Sequence, residues 1–274
     1  MSKIKCFVAT KGGYRVKERI YTIPVSEAFR EDCECPLCIL ENNLENDALE
    51  YTLGPSMMEP DSRIETNKKG FCQRHFIKLY NMQKNRLALG LVIDTHLMEQ
   101  IEIIKKLYEK SEPAIRKETK TGAIEQMLQG VKGKKSVTTE FIQTMIDKIS
   151  ELEGTCKICD KINWNMEKFI DVILYLFFKE PDFKDTFISK KGFCLHHLRK
   201  LMEGSLKHLN GARRSEFIMT LMSMEIIHLE RIKEDVNWFT QKFDYKNQNA
   251  PWKNSQDAIP RSIEKICGPC DLNR

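Results

Sequence analysis

The segment Lys68-Lys69-Gly70-Phe71-Cys72, with a histidine three residues after its cysteine, recurs later in the chain as Lys190-Lys191-Gly192-Phe193-Cys194 with the same histidine spacing. A Cys-x-x-Cys motif precedes each copy of this segment, and a Glu-Pro-Asp tripeptide lies between the motif and the segment in both cases. Chance does not produce such agreement in order and spacing. We therefore predict an internal duplication, in which the chain holds two copies of one unit.

Three cysteines and one histidine are available in each copy, and this combination is a common closed ligand set for structural zinc. A Cys-x-x-Cys turn lets two sulfur atoms reach one ion, while Cys-x-x-His at the start of a helix places both ligands on one face. We expect each copy to complete its own site, which gives two zinc ions per chain. The predicted ligands are Cys35, Cys38, Cys72 and His75 in the first copy and Cys156, Cys159, Cys194 and His197 in the second.

The choice of metal and of ligands leaves alternatives. We select His197 over its neighbour His196 because only His197 keeps the Cys-x-x-His spacing. An iron–sulfur cluster at one or both sites is one alternative, although such clusters normally take four cysteines. Buried free cysteines with incidental histidines are another. Since a catalytic zinc site keeps a position for water and both sets here are closed, we predict no catalytic residues and no further cofactor.

The composition is that of an ordinary globular protein. Of 274 residues, 41% are hydrophobic and 30% are charged, and the net charge of +5 is too mild to indicate a nucleic-acid-binding surface. The longest apolar run, at 169–178, is far shorter than the roughly 20 residues that span a bilayer. Ten cysteines without an apparent export signal favour metal or redox chemistry over disulfides. We therefore predict a cytoplasmic protein that does not contact membranes.

Helical periodicity dominates the rest of the chain, so the predicted fold class is mainly α, with two related helical halves that each combine a zinc knuckle and a long helix. A long helix is expected from Cys72 to about Lys110, ended by Pro113, and a helix that is apolar nearly all round is expected at 164–179. Residues 57–69 are predicted to be a polar loop. A helix is expected at 215–243, and a last short helix is expected to end at Cys267.

The predicted domains follow from the duplication. They are an N-terminal arm at 1–22, a first metal-binding repeat at 23–113, a linker at 114–137 with a short helix at 123–128, a second metal-binding repeat at 138–244 and a C-terminal tail at 245–274.

Several other residues have a plain structural interpretation. The lysine pairs before each Gly-Phe-Cys would favour an anionic thiolate site, Glu-Pro-Asp is best explained by turn and cap chemistry, and Cys33 has no counterpart in the second copy. Cys267-Gly-Pro-Cys270 has the letters of a thioredoxin-type site but lacks its strand-to-helix context. The remaining candidates, which we interpret as helix-face histidines with hydrogen-bond partners, are His96 and His228.

A resemblance supports the duplicated motif. The run from Pro24 to Ile39, the Gly54-to-Asp61 segment, the two Gly-Phe-Cys motifs and Asp94-Thr95-His96-Leu97 resemble a family of uncharacterised bacterial proteins. Some members carry an automatic label of ABC transporter substrate-binding protein, which the ligand pattern of this chain does not support. The resemblance covers most of the chain, excludes the Cys-Gly-Pro-Cys tail and implies no established activity.

The leading functional prediction is a non-enzymatic binding or regulatory protein with a protein partner, in which two zinc ions fix the fold. A thiol-redox or metal-handling protein that uses Cys33, Cys267 and Cys270 is the first alternative. Nucleic-acid binding through Arg213-Arg214 and the basic segment at 132–135 is the second, and its signature would be a steep loss of affinity with salt.

Overall fold

A computed structural model describes residues 19–120, 136–268, 270 and 272. Within these ranges the protein has eleven α-helices and no β-strand, which confirms the mainly α prediction. The helices are α1 (Arg19–Ala28), α2 (Pro36–Leu53), α3 (Pro60–Lys69), α4 (Gln73–Asn81), α5 (Arg86–Glu118), α6 (Val137–Gly154), α7 (Lys157–Lys179), α8 (Pro181–Ile188), α9 (Leu195–His208), α10 (Gly211–Gln241) and α11 (Ala258–Cys267), with short 3-10 helices at Pro55–Met58 and Tyr245–Asn247. None of the helices in these ranges combines the length and apolar character needed to cross a membrane.

The chain forms two compact units, which we call unit A (1–44 and 164–274) and unit B (45–163). Their boundaries fall inside α2 and α7. This division reflects contacts in space, and the repeats at 23–113 and 138–244, which follow from the duplicated motifs, stay a prediction. The predicted short helix at 123–128 and the basic segment at 132–135 lie outside the described residues, as does most of the predicted arm at 1–22.

Unit A has an aromatic core. The fully buried rings of Phe177 and Phe187 lie edge to face with their centroids 5.2 Å apart, and Phe217 lies 5.2 Å from Phe177. Such pairs are more favourable than their buried area alone implies. The apolar stretch at 164–179 is part of α7, and most of its large side chains are buried as predicted, although Trp164 is exposed.

Unit B is built around the 33-residue helix α5, against which α3 and α6 pack. The prediction of one continuous helix from Cys72 is wrong, because α4 ends at Asn81 and α5 begins at Arg86. Asn85 adopts the left-handed conformation (φ +43°) and caps α5, since its side chain accepts a hydrogen bond from the Ala88 N–H. Its amide also donates to the carbonyl of Leu53 at 2.7 Å.

Two further expectations about local structure are wrong. The predicted polar loop at 57–69 contains α3, which begins at Pro60 in the first helical position, where its missing N–H costs nothing. Pro113 does not end α5, because the helix continues to Glu118. The helices that follow the second Gly-Phe-Cys motif, α9 and α10, are separated near Gly211 as expected, and the last short helix, α11, does end at Cys267.

Candidate metal centres

All eight predicted ligands lie in two groups of four. In each group the candidate ligand atoms lie within 4.8 Å of one another, a separation at which they could hold one metal ion. Cluster 1, in unit A, consists of Cys35, Cys38, Cys194 and His197, and cluster 2, in unit B, consists of Cys72, His75, Cys156 and Cys159.

The prediction that each copy completes its own site is wrong. Each cluster combines the Cys-x-x-Cys of one copy with the Cys-x-x-His of the other. The physical reason is that α2 continues without a break from Pro36 to Leu53, and the chain passes from unit A to unit B within this helix, before it reaches the first Gly-Phe-Cys segment. The first Gly-Phe-Cys segment, reached after α3, therefore belongs to unit B rather than to the unit that contains Cys38.

Cluster 1 has the dimensions of a small tetrahedron. The Sγ atom of Cys194 lies 4.0 Å from that of Cys35 and 3.6 Å from that of Cys38. The Nδ1 atom of His197 lies 3.1 Å from Cys194 Sγ and 3.5 Å from each of the other two sulfur atoms. Three of the four residues are buried, and Cys38 is half-buried. One imidazole nitrogen thus faces three sulfur atoms.

Cluster 2 has similar dimensions. The Sγ atoms of Cys72 and Cys159 are 3.8 Å apart. The Nδ1 atom of His75 lies 3.2 Å from Cys72 Sγ, 3.2 Å from Cys156 Sγ and 3.4 Å from Cys159 Sγ. Here His75 and Cys156 are buried, whereas Cys72 and Cys159 are half-buried. The same ligand atom of histidine is therefore presented in both clusters.

Each cluster lies at the N-terminal ends of two helices. Cys35 and Cys156 immediately precede α2 and α7, while Cys72 and Cys194 are the N-cap residues of α4 and α9. The Sγ atom of Cys194 also accepts the N–H of His197 at 3.4 Å. Because unpaired N–H groups and the helix dipole make this end positive, it stabilises thiolates. The Cys-x-x-Cys motifs thus belong to the first turns of helices rather than to separate knuckles.

A carboxylate faces the second nitrogen of each histidine, and neither carboxylate was predicted; Glu45 is buried, whereas Glu41 is half-buried. Glu45 Oε1 lies 3.0 Å from His75 Nε2, and Glu41 Oε2 lies 3.2 Å from His197 Nε2. Both acids are on α2, four residues apart, so a signal was present only as two acidic residues one turn apart after Cys38. A carboxylate at this position fixes the ring orientation and raises the basicity of a metal-bound histidine.

The charged groups around Glu45 explain why this carboxyl group is ionised. Burial alone would raise the pKa of this carboxyl, but hydrogen bonds from His75 and Lys78 and the charge of Arg74 lower it to about 2. Burial likewise opposes a charge on His75, yet Cys156 and Glu45 raise the pKa of the imidazole to about 9 in the metal-free protein. Glu45 is therefore ionised at neutral pH and holds His75 with Nδ1 directed at the sulfur atoms.

The first residue of each Gly-Phe-Cys motif must be glycine, because its backbone has a positive φ angle and because a Cβ atom would clash with neighbouring side chains. Gly70 has φ +60° and ψ −151°, a region that is essentially limited to glycine. A Cβ atom added there would lie 2.7 Å from the ring of His96. At Gly192 (φ +85°) an added Cβ would lie 2.6 Å from Glu225 and 2.7 Å from Lys265.

The lysines beside these glycines form pairs with oxygen atoms. Lys69 contacts Asp160 at 2.7 Å, Lys190 donates to the carbonyl of Glu31, and Lys191 contacts Asp32 at 2.6 Å. These three lysines therefore contact backbone or carboxylate oxygens, and the prediction that the lysine pairs favour an anionic thiolate site stays a prediction.

His96 and His228, which the sequence analysis interprets as helix-face histidines, both have hydrogen-bond partners, as predicted. His96 donates from Nδ1 to the carbonyl of Asn67 at 2.7 Å, and His228 accepts from Arg231 at 3.4 Å. The Glu-Pro-Asp tripeptides mark helix starts, with Glu59 and Glu180 as the N-cap residues of α3 and α8. Neither glutamate side chain makes a capping hydrogen bond, so the observed role of the tripeptides is to begin a helix with proline in its first turn.

Within the described part of the chain, the cysteines outside the clusters are Cys33, Cys267 and Cys270, all in unit A. Cys33 is half-buried, and its burial, together with the nearby Cys35, raises the pKa of its thiol to about 11. Cys267 is exposed and ends α11, whereas Cys270 is half-buried. The Cys-x-x-Cys of the tail therefore follows a helix, as expected, and lacks the position at a helix start that thioredoxin-type sites use.

The arginines suggested for nucleic-acid binding contact the protein itself. Arg214 donates to the carbonyls of Ser205, Leu206 and Leu209, and the guanidinium of Arg213 lies 5.6 Å from the centre of the Phe178 ring. Nucleic-acid binding therefore stays a prediction from the sequence, without support from these side chains.

The fold and the two clusters define a mainly α-helical protein with two Cys3His groups that could hold metal ions. The chain belongs to DUF6062, a family of unknown function whose model matches residues 16–273. It is also 30% identical over 103 residues to an "Uncharacterized 23.9 kDa protein in xynA 3'region" of Caldicellulosiruptor sp. (strain Rt8B.4). That match covers 36% of this chain and 46% of the other protein. No solved structure matches the chain.

Proposed function

We propose that each cluster binds one zinc ion and that the two ions hold the helices of their units together. The observation that carries this proposal is the size of the clusters. With zinc–sulfur bonds of about 2.3 Å, neighbouring sulfurs of a tetrahedral site are about 3.8 Å apart. The sulfur–sulfur distances of 3.6, 3.8 and 4.0 Å bracket that value. The slightly shorter nitrogen–sulfur distances suit the shorter zinc–nitrogen bond.

The same dimensions favour a single ion over an iron–sulfur cluster. In an iron–sulfur cluster the ligands are distributed over two or more iron atoms, so ligands on different irons are farther apart than ligands around one ion. Three sulfurs that all lie about 3.5 Å or less from one histidine nitrogen enclose a space for one metal ion. Three thiolates, one neutral imidazole and Zn²⁺ sum to a net charge of about −1, which the two helix N-termini at each cluster stabilise.

We further propose a non-enzymatic binding or regulatory role with a protein partner, in a reducing compartment such as the cytoplasm. Four protein ligands fill all the positions of a tetrahedral ion and leave none for a reactive water, which supports a structural metal. The ligand thiols must also stay reduced, which favours a cytoplasmic location. An internal duplication, with the sites formed by exchange between the two copies, accounts for the repeated motifs.

The direct test is elemental analysis of protein purified without added metal, together with its visible absorption spectrum. We expect about two zinc ions per chain and no colour. Cobalt replacement would then give the intense absorption of tetrahedral cobalt–thiolate sites. Iron with a brown absorption band, or no bound metal under reducing conditions, would overturn the proposal.

A further inference from the structure

A cavity in unit A brings additional thiols to cluster 1. Its volume is about 300 Å³, and its lining includes the five cysteines Cys33, Cys35, Cys38, Cys194 and Cys270. Three of these residues belong to cluster 1, and Cys33 and Cys270 do not. The cavity thus brings two cysteines outside the cluster to the same space as three ligand residues.

The C-terminal segment that carries Cys270 is fixed against cluster 1. Lys265 on α11 is 1% exposed, lies 3.1 Å from Glu225 and donates to the carbonyl of Lys191. After α11 ends, the chain turns at Gly268 (φ +84°), where a Cβ atom would lie 3.5 Å from Cys194 Sγ. Gly268, two residues before Cys270, therefore lies beside a cluster sulfur.

The segment that carries Cys33 is attached to the same helix. Glu34 forms ion pairs with Arg231 on α10 and with Arg261 on α11, and Arg261 also lies 3.1 Å from Asp235. All of these charged side chains except Arg231 are less than about one-fifth exposed, so the network is partly shielded from solvent and its geometry is well defined. α11 therefore holds in place both the segment that carries Cys33 and the segment that carries Cys270.

We propose that Cys33 and Cys270 form a thiol pair that exchanges the metal ion of cluster 1. This inference rests on the proposed zinc binding and adds a path for the ion to enter and leave. Thiolates are the ligands that zinc and other soft divalent or monovalent ions prefer. Cys33 and Cys270 would act as transient ligands, since neither belongs to the group whose ligand atoms are already close together.

The exchange is a ligand substitution without oxidation or reduction. A bond forms between the metal and the sulfur of Cys270, and the bond to Cys38, the half-buried cysteine of cluster 1, breaks. The proton of the incoming thiol passes to the departing thiolate, so the charge of the site is unchanged. In a second exchange Cys33 would bind the ion in place of Cys35, which also lines the cavity, and the proton of the Cys33 thiol would pass to the Cys35 thiolate. An external chelator could then take the ion from the cavity.

Zinc transfer to the chromogenic chelator 4-(2-pyridylazo)resorcinol tests this proposal in the full-length protein under a phosphine reductant. We expect two phases of about one zinc each, the faster from cluster 1. The Cys33→Ser/Cys270→Ser variant should still bind both ions but release the fast one about tenfold more slowly, because the transient ligands are missing; tenfold corresponds to about 1.4 kcal/mol of activation free energy. The slower phase should not change, and a Cys72→Ser variant, which removes a cluster 2 ligand, should lack it.

Cys267→Ser is the matched control, because this cysteine is in the same tail but is exposed and does not line the cavity. An unchanged fast phase in the double variant, an equal slowing in Cys267→Ser, or a single phase in the wild type would overturn the exchange role. Loss of one zinc from the double variant would also overturn it, since the two cysteines would then be permanent ligands. A wild-type protein with fewer than two zinc ions would instead contradict the proposed function.

Discussion

In each cluster one carboxylate lies beside the Nε2 atom of the histidine, opposite the Nδ1 atom that faces the sulfur atoms. Glu45→Gln removes the negative charge that faces His75 Nε2, and we expect the zinc affinity of cluster 2 to fall about 10- to 100-fold, as is typical when such a partner is lost. Competition with a chelator at equilibrium measures the change. Glu50→Gln is the control, because Glu50 lies on the same helix and its partner in the described part of the chain is the exposed Lys84 rather than a histidine. An equal loss of affinity in both variants would show that the carboxylate at Glu45 has no specific role.

A second residue-scale prediction concerns Gly70. Gly70→Ala should lower the free energy of unfolding by about 1–3 kcal/mol through backbone strain alone, and by more because the new Cβ would clash with the His96 ring. Gly90→Ala is the control in the same unit. Gly90 is inside α5 with open space around it, so alanine there should stabilise the protein by about 0.5–1 kcal/mol. Denaturant unfolding of both variants checks the opposite signs, and equal signs would contradict the structure at Gly70.

At the scale of elements, the carboxylate of Glu118 connects the end of α5 to the start of α6. It accepts hydrogen bonds from the N–H groups of Val137 and Thr138 and from the Thr138 hydroxyl, and these bonds lower the pKa of Glu118. Because the folded-state pKa is lowered, the stabilisation is present above the ordinary glutamate pKa and is lost as pH falls through the lowered value.

Hydrogen exchange measures this effect directly. Protection factors at the amides of Val137 and Thr138 should fall as the pH decreases below the ordinary glutamate range, while amides in the middle of α6 keep their protection longer. Glu118→Gln should remove the pH-dependent step and weaken protection at neutral pH. A step that persists in this variant would assign it to another group.

Hydrophobic periodicity in the sequence predicted the helices that bury an apolar face. It failed where polar contacts determine whether a helix forms or where it begins. α10 and the apolar part of α7 follow from the spacing of their hydrophobic residues. α3 does not, because its buried residues are Ser62 and Thr66, and both contact the ammonium group of Lys157. The break before α5 depends on the bond from Asn85 to Leu53, a partner 32 residues away. Neither contact has a local signature in the sequence.

At the scale of the whole molecule, ligand chemistry made the eight cluster residues predictable, but their pairing was not. Thiols and imidazoles at Cys-x-x-Cys and Cys-x-x-His spacing indicate a metal whatever the fold. Which half-site meets which depends on where α2 and α7 carry the chain, and nearness in sequence favoured the wrong partner. Glu41 and Glu45 were missed for the same reason, since each faces a histidine at least 30 residues away.

Counting bound metal in double variants tests the pairing in the full-length protein. Cys35 and Cys194 belong to one cluster, so Cys35→Ser, Cys194→Ser and the double variant should each lose the same single zinc. Cys35→Ser combined with Cys72→Ser should lose both zinc ions, because these residues belong to different clusters although they lie in the same copy of the repeat. Cys267→Ser should keep both.

Self-contained repeats would give the opposite result, since Cys35 and Cys72 would then serve one ion and Cys35 and Cys194 would serve two. Elemental analysis distinguishes the two arrangements. Each single variant also serves as a control, because it shows whether the cluster that was not mutated still holds its metal ion. Closure of each site by distant parts of the chain also predicts that losing either ion loosens both segments that supply its ligands. Hydrogen exchange in Cys194→Ser should therefore increase at the start of α2 as well as at the start of α9.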